Sequence, residues 1–240
     1  MKIQYAYTTD AGNRECNEDS VTTVENEKGY CFVVADGLGG HDRGEVASQT
    51  VCDAAAEYFA VADVQDVAGI FEHAQKLLLQ RQESEHAVDE MKTTMNIVTL
   101  TRAGIQWGHI GDTRTYYFRK GKLVARTKDH SVPQMMVTMG EIKEKDIRHH
   151  EDRNRLLRVM GTEWDKPQYV MEIPVELDKH QVFLLCTDGF WELIEEKDMR
   201  KTLKRADTPQ NWLERMNSIV KQNGQGTDMD NYTALAVWID

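Results

Sequence analysis

Val33-Val34-Ala35-Asp36-Gly37-Leu38-Gly39-Gly40-His41, followed by Gly44-Glu45-Val46-Ala47-Ser48, is the stretch on which the reading of this chain turns. An apolar run ends on a carboxylate, Asp36, a glycine-rich loop follows, and a helix opens directly after it. Glycines there let backbone carbonyls and amides approach a ligand closely. Taken alone, Asp-Gly is a hairpin signal before it is a site. Four further acid motifs at the edges of apolar runs change that balance: Asn17-Glu18-Asp19, Gly111-Asp112, Asp188-Gly189 and Asp230-Asn231. Val182 to Thr187 lead into Asp188, and Ile110-Gly111 into Asp112. Strand ends can gather several acids at one point, where they repel one another unless a divalent cation neutralises them. The pattern therefore predicts one hard-metal site assembled by the fold.

Outward from that loop, Ile3 to Thr9 and Ser20 to Glu25 alternate weakly, and Asn26-Glu27-Lys28-Gly29 reads as a hairpin turn into the run ending at Ala35. After Gly44 the period changes. Val46, Ala47, Val51, Ala54, Ala55, Tyr58 and Phe59 recur at helical spacing, and a second helical stretch is expected from Val64 to Glu90. Strands are expected at Thr93 to Thr101, Ile105 to Ile110, Thr113 to Arg119 and Leu123 to Arg126, as a meander. The charged, Met-containing stretch from Asp129 to Arg155 reads as an inserted flap, residues 131–154, against the plainer alternative of a solvated connection. Strands at Tyr169 to Ile173 and Val182 to Cys186, a helical segment from Trp191 to Val220, and a closing strand from Thr233 to Ile239 complete the pattern.

A chain of 240 residues with 40% apolar and 29% charged residues suits one soluble domain, residues 1–240. The sequence has no apolar stretch near the ~20 residues of a membrane helix, and its first residues lack the h-region of a secretory signal, so a cytoplasmic protein is expected. Net charge of −11 argues against nucleic-acid backbone binding. Cys16, Cys31, Cys52 and Cys186 are widely spaced and read as free thiols.

In order, these motifs resemble those of the bacterial type-2C, metal-dependent serine/threonine protein phosphatases, over essentially the whole chain. Arg14-x-x-Asn17-Glu18-Asp19 and Asp36-Gly37-Leu38-Gly39-Gly40 match the first two motifs. Met91-Lys92-Thr93-Thr94 and Gly111-Asp112-Thr113-Arg114 match the central strands, and Lys128-Asp129-His130-Ser131 the Asp-His-Ser stretch. Arg153-Asn154 with Leu157-Arg158-Val159-Met160-Gly161 matches the segment after the flap, and Cys186-Thr187-Asp188-Gly189-Phe190-Trp191 with Asp230-Asn231-Tyr232-Thr233 the C-terminal pair. The resemblance implies an α+β fold, a β-sandwich of two antiparallel sheets flanked by pairs of antiparallel helices. It implies two Mn2+ or Mg2+ ions, with a third and weaker one. Asp36 would bridge the two, assisted by the Gly37 carbonyl. Asp188 and Asp230 would complete one sphere, Glu18 and Asp19 would serve the other, and Asp112 would help hold the third. Arg14 is the candidate for gripping the substrate phosphate, because its planar fork binds two oxygens; the alternative is a salt bridge to a neighbouring acid. Direct hydrolysis of phosphoserine or phosphothreonine without a phosphoenzyme follows, by a monomer acting on phosphorylated proteins and opposing a bacterial kinase.

Departures limit the transfer. Leu38 stands where some relatives carry a histidine after Asp-Gly, so no general acid is assigned there, and His41 is expected to shape the loop. Asp228 competes with Asp230 as ligand, but the Asn and Thr that follow Asp230 keep the motif's spacing. For Asp112 the alternative is a turn acid bonded to its own backbone. His109, His149, His150 and Cys186 lack zinc-like spacing and are read as strand, flap and core residues. Two other functions stay open: a catalytically silent binding module, whose sign would be a missing core acid, and a phosphatase of small metabolites, whose sign would be a closed pocket.

Overall fold

A computed structural model describes residues 1–38, 43–62, 66–88 and 90–240. Gly39, Gly40 and His41, and the expected helix start at Val64, lie outside the described residues. Three strands come first, β1 (Ile3–Asp10), β2 (Asp19–Asn26) and β3 (Gly29–Asp36), then helices α1 (Gly44–Val61) and α2 (Val67–Ser84). The meander follows as β4 (Met95–Thr101), β5 (Gly104–Ile110), β6 (Arg114–Arg119) and β7 (Lys122–Arg126). After it come α3 (Val132–Met139), a 3-10 helix (Glu144–His149), β8 (Val170–Met171) and β9 (Gln181–Cys186). The chain then forms the single turn α4 (Asp188–Trp191), α5 (Glu196–Leu203), α6 (Pro209–Asn223) and β10 (Tyr232–Ile239).

Two five-stranded antiparallel sheets result, ordered β1-β10-β9-β6-β7 and β2-β3-β4-β5-β8. The strand period of two sorts side chains to opposite faces. On β3, Phe32 and Val34 point into the layer between the sheets with Leu185, Leu235 and Val237, while Cys31, Val33 and Ala35 face α1 and α2. On β10, Leu235, Val237 and Ile239 join the inner layer, whereas Tyr232, Ala234 and Ala236 pack towards α5 and α6 around Trp212. Central strands are thus apolar on both faces, which is why they read as continuous runs. Full burial of each such large side chain contributes roughly 1.5–3 kcal/mol.

The expected helix from Val64 to Glu90 is shorter. It is capped by Asp66, whose side chain accepts from the Gly69 amide at 2.6 Å, and ends by His86, whose φ of 54° leaves the helical region. The expected single segment from Trp191 to Val220 is three helices, because Pro209 lacks the amide to continue one and instead opens α6 behind the Thr208 cap. The strand expected at Tyr169 to Ile173 shrinks to two residues, with Pro174 interrupting it before Val175 bridges Ile105. Flap residues 131–154 are helical as expected and do not hang in solvent. Ile147 is buried in the α5–α6 core, and Arg148 donates to the Trp191 and Ile194 carbonyls, each at 3.1 Å.

Candidate functional site

Strand register gathers the acids. Asp19 pairs opposite Asp36, so the first residue of β2 and the last of β3 stand side by side. Asp188 follows β9 and Asp230 precedes β10; these strands are antiparallel neighbours, which brings both positions to one end. Asp112 lies in the connection from β5 to β6, where the chain passes from one sheet to the other.

Short polar side chains stitch these ends together across the sandwich. Thr187 Oγ1 donates to Asp19 Oδ2 at 2.9 Å and accepts from the Thr233 amide at 2.9 Å. Asn231 accepts from the Glu18 amide at 2.8 Å and donates to the Ala11 and Cys16 carbonyls at 3.0 and 2.9 Å. Thr94 Oγ1 accepts from the Asp36 amide at 2.9 Å, and Thr93 Oγ1 donates to the Asp36 carbonyl at 2.7 Å. Gly37 admits no side chain: a Cβ would run into the Gly44 carbonyl and stand 2.7 Å from that of Glu18.

Asp112 is fixed through its backbone. Trp191 Nε1 donates to the Asp112 carbonyl at 3.0 Å, and the Arg114 guanidinium lies 3.3 Å from the Trp191 ring centre. Arg114 in turn donates to both Asp129 oxygens, at 2.8 and 2.6 Å. Both partners are 1% exposed, so the pair's geometry has to offset a large desolvation cost. Asp129 is held below the usual carboxylate range: burial pushes it up, but the Arg114 charge and hydrogen bonds prevail.

The gathered acids have the opposite character. Burial, then the charges of Asp19, Asp188, Asp112 and Asp230, push Asp36 well above the usual carboxylate range. Burial raises Asp188 to about 6, with Asp230 adding to it and the Gly189 amide opposing. Asp19 rises to about 7, mainly by burial, against hydrogen bonds from Thr233 and Thr187. Asp112 is raised by burial and by Asp188, and Glu18 by burial, Glu45 and Asp230. One oxygen of Asp19, Oδ1, is buried without a hydrogen-bond partner. No three described His, Cys, Asp or Glu side chains already stand as a metal cage. Even so, an orphaned carboxylate oxygen among mutually repelling hard-oxygen donors fits a divalent cation of the Mg2+ or Mn2+ type.

Glu18, Asp36, Asp112, Asp188 and Asp230 floor a cavity of about 1090 Å3 that Arg14 also lines, while Asp19 is buried and outside the lining. Arg14 Nη2 rests 3.1 Å from Asp230 Oδ2, so the salt-bridge alternative exists in this structure, between half-exposed groups where such a pair contributes little. Leu38 lines the cavity and brings no acid or base. Asp228 is exposed and outside the lining, while Asp230 acts on Glu18, Asp19, Asp36 and Asp188. The four soft-ligand candidates are dispersed: His109 is in β5, Cys186 is buried in β9 of the other sheet, and His149 and His150 end the 3-10 helix. Of the thiols, Cys16 is exposed at the cavity and the other three are buried; all four are free.

Reading from sequence missed the supports. Thr187, Asn231, Thr93 and Thr94 sit inside the quoted motifs, directly beside the acids, and their adjacency was the available signal. Their partners are up to 220 residues away, as for Asn231 with Ala11, and no local pattern shows that.

Comparison with known proteins agrees with this geometry. A family profile described as protein phosphatase 2C matches residues 8–232. The serine/threonine phosphatase stp of Listeria monocytogenes is 30% identical over 241 residues, covering 96% of this chain and 94% of that protein. The crystal structure of Mycobacterium tuberculosis PstP/Ppp shares 26% identity and a TM-score of 0.83 over 99% of both chains. A PstP catalytic domain in complex with two manganese ions shares 26% identity and a TM-score of 0.80, again over 99% of each. With a profile match over nearly its whole length and acids converging from both sheets, the chain belongs to the protein phosphatase 2C family.

Proposed function

We propose that this protein is a metal-dependent protein serine/threonine phosphatase, a phosphoric monoester hydrolase acting through residues 1–240 as one catalytic domain. The observation that carries the reading is the convergence of Glu18, Asp36, Asp112, Asp188 and Asp230 on one cavity, with Asp19 paired opposite Asp36, and the raised pKa values that burial and neighbouring carboxylates give Asp19, Asp36, Asp112 and Asp188. Asp36 with the Gly37 carbonyl would lie between two ions, Asp188 and Asp230 would serve one, Glu18 and Asp19 the other, and Asp112 a third. Mn2+ or Mg2+ bound there supplies a water acidified enough to attack phosphorus at neutral pH and neutralises charge on the phosphoryl oxygens. Arg14 at the rim would hold the phosphate by two N–H donors, its charge independent of pH. Thr187 and Asn231 keep the floor in register, and the docked flap, residues 131–154, meets the cavity at Asn154.

Phosphorylated proteins are the proposed substrates, with a bacterial serine/threonine kinase making them, and the enzyme works as a cytoplasmic monomer. No helix among the described residues is long and apolar enough to cross a membrane. A cavity of 1090 Å3, treated as a sphere, is roughly 13 Å wide, room for about three residues of extended chain at ~3.4 Å each. That room accommodates a short extended protein segment. None of the core acids is missing, which speaks against a silent binding module.

The test is hydrolysis of a phosphothreonine peptide and of p-nitrophenyl phosphate with Mn2+, with Mg2+ and with chelator, for wild type, Asp36→Asn and Asp188→Asn. Metal-dependent turnover that falls at least ~1000-fold in either variant is expected, since metal activation is worth several kcal/mol. Equal turnover in chelator would refute the proposal.

A further inference from the structure

His130 joins the floor of the cavity to its wall. It lies in the connection from β7 to α3, and its two neighbours are committed elsewhere: Asp129 to the Arg114 guanidinium at 2.6 Å, and Ser131 to the cap of α3, where its Oγ accepts from the Gln134 amide at 3.4 Å. His130 turns to Gly111 instead. Its amide donates to the Gly111 carbonyl at 2.9 Å, and its ring Nδ1 accepts from the Gly111 amide at 3.2 Å. One residue thus engages both backbone polar groups of the position before Asp112. On the other side, the His130 carbonyl accepts from the amide of Leu157, which lines the cavity, at 2.7 Å.

The turn that His130 grips is buried and tightly seated. Gly111 has a φ of 98°, and a Cβ there would stand 2.5 Å from Thr94 Cγ2. Thr113 Oγ1 shares a 2.7 Å hydrogen bond with Thr94 Oγ1, and Trp191 Nε1 holds the Asp112 carbonyl at 3.0 Å. Asp112 is therefore pinned by Trp191 and Thr94 on one flank and by His130 on the other. The ring itself is preset: it stacks on His109 with centres 4.7 Å apart and 14° between planes, and His109 donates from Nε2 to the Lys128 carbonyl at 2.7 Å. Burial, then the charges of His109 and Arg158, hold the His130 pKa down at about 3. The ring is neutral, with its proton on Nε2 and a lone pair on Nδ1 for the Gly111 amide.

Resting on the phosphatase reading, with Asp112 as an acid that faces a divalent cation, we propose that His130 is a positioning residue for Asp112. Through the Gly111 amide its ring sets the direction in which the Asp112 carboxylate meets the floor. His130 touches neither substrate nor ion. Without the Nδ1 acceptor the Gly111 amide is buried and unpaired, so the turn relaxes to satisfy it. The carboxylate is then still present but no longer held ready, and a metal site whose ligands must first be ordered binds its ion more weakly.

The experiment is Mn2+ titration calorimetry on the full chain as wild type, His130→Phe, His130→Asn, Asp112→Asn and the double variant Asp112→Asn with His130→Phe. Phenylalanine keeps a ring against His109 but has no acceptor, whereas asparagine places its Oδ1 near the position of Nδ1. His130→Phe is expected to weaken the Mn2+ binding that Asp112→Asn also weakens, by about ten-fold, and His130→Asn to restore most of it. In the Asp112→Asn background His130→Phe is expected to have no further effect, because the ligand it orients is gone. General loosening of the fold would instead weaken Mn2+ binding in both backgrounds. His130→Gln, whose amide reaches the Nε2 position, replaces the Phe variant if that one does not fold, and is expected to lose the same factor. Wild-type Mn2+ affinity in His130→Phe, or an equal loss with and without Asp112, overturns the proposal. Asp112→Asn without effect on Mn2+ binding also overturns it, while metal-dependent turnover of p-nitrophenyl phosphate that Asp36→Asn abolishes leaves the phosphatase reading standing. No metal-dependent turnover by wild type overturns both.

Discussion

Asp188→Asn is expected to stabilise the metal-free protein at neutral pH while destroying the site. In the fold the carboxyl of Asp188 titrates near 6 instead of 3.8, through burial and the nearby Asp230 charge. A carboxylate raised in this way binds its proton more tightly in the folded than in the unfolded chain. Its contribution is therefore present below the unfolded value and is lost as pH rises from 3.8 through about 6. At about 1.4 kcal/mol per pH unit the loss is about 3 kcal/mol above pH ~7. Asparagine has the same shape and no charge, and its amide oxygen can keep the 2.7 Å bond from the Gly189 amide. The substitution removes the penalty at pH 7.5 and changes little near pH 4. For a chain of this length about 3 kcal/mol corresponds to roughly 6–12 °C in melting temperature. The assay is thermal unfolding with chelator at pH 4.5 and 7.5, then with Mn2+ at pH 7.5. Expected are a higher melting temperature for the variant at pH 7.5 in chelator, an advantage only about a third as large at pH 4.5, and a reversed order with Mn2+, which stabilises wild type by binding the native state. A variant less stable than wild type in chelator at pH 7.5, or equally stabilised at both pH values, would refute the reasoning.

Three further outcomes follow from the geometry. Asp129→Asn leaves the buried Arg114 charge without its counter-ion and should lower stability by about 3–5 kcal/mol in urea unfolding; a loss below about 1 kcal/mol would contradict the pairing described. Gly37→Ala forces the Asp36 loop away from Gly44 and Glu18, so Mn2+ affinity by calorimetry should fall at least ~10-fold, of the order seen when the supports of a metal site are disturbed; unchanged affinity would show that the close approach is unnecessary. Arg14→Ala should raise KM for a phosphothreonine peptide about ten-fold, as expected of a lost charge-assisted phosphate contact. An effect under two-fold would leave Arg14 as a partner of Asp230 alone.

Much of this molecule was legible along the chain. Apolar runs ending in acids located β3 and β9 with Asp36 and Asp188 at their ends, and the period change after Gly44 located α1, because strand and helix periodicities are local properties. Boundaries were less legible where a single residue decides them, as Pro209 does for α6 and Pro174 for β8. The choice of Asp230 over Asp228 rested on spacing; in the fold Asp230 lines the cavity and Asp228 is exposed outside its lining.

Sequence by itself determined which carboxylates are available, their order, and the alternation that commits each strand to a buried face, since these depend on residues a few positions apart. Tertiary structure decided everything that depends on distance. Only folding sets Asp19 against Thr187 at 2.9 Å, Trp191 against the Asp112 carbonyl at 3.0 Å, and Arg158 in the cavity that Arg14 shares. The raised pKa values belong to the same class, because repulsion between carboxylates and loss of water exist once two sheets have closed over them.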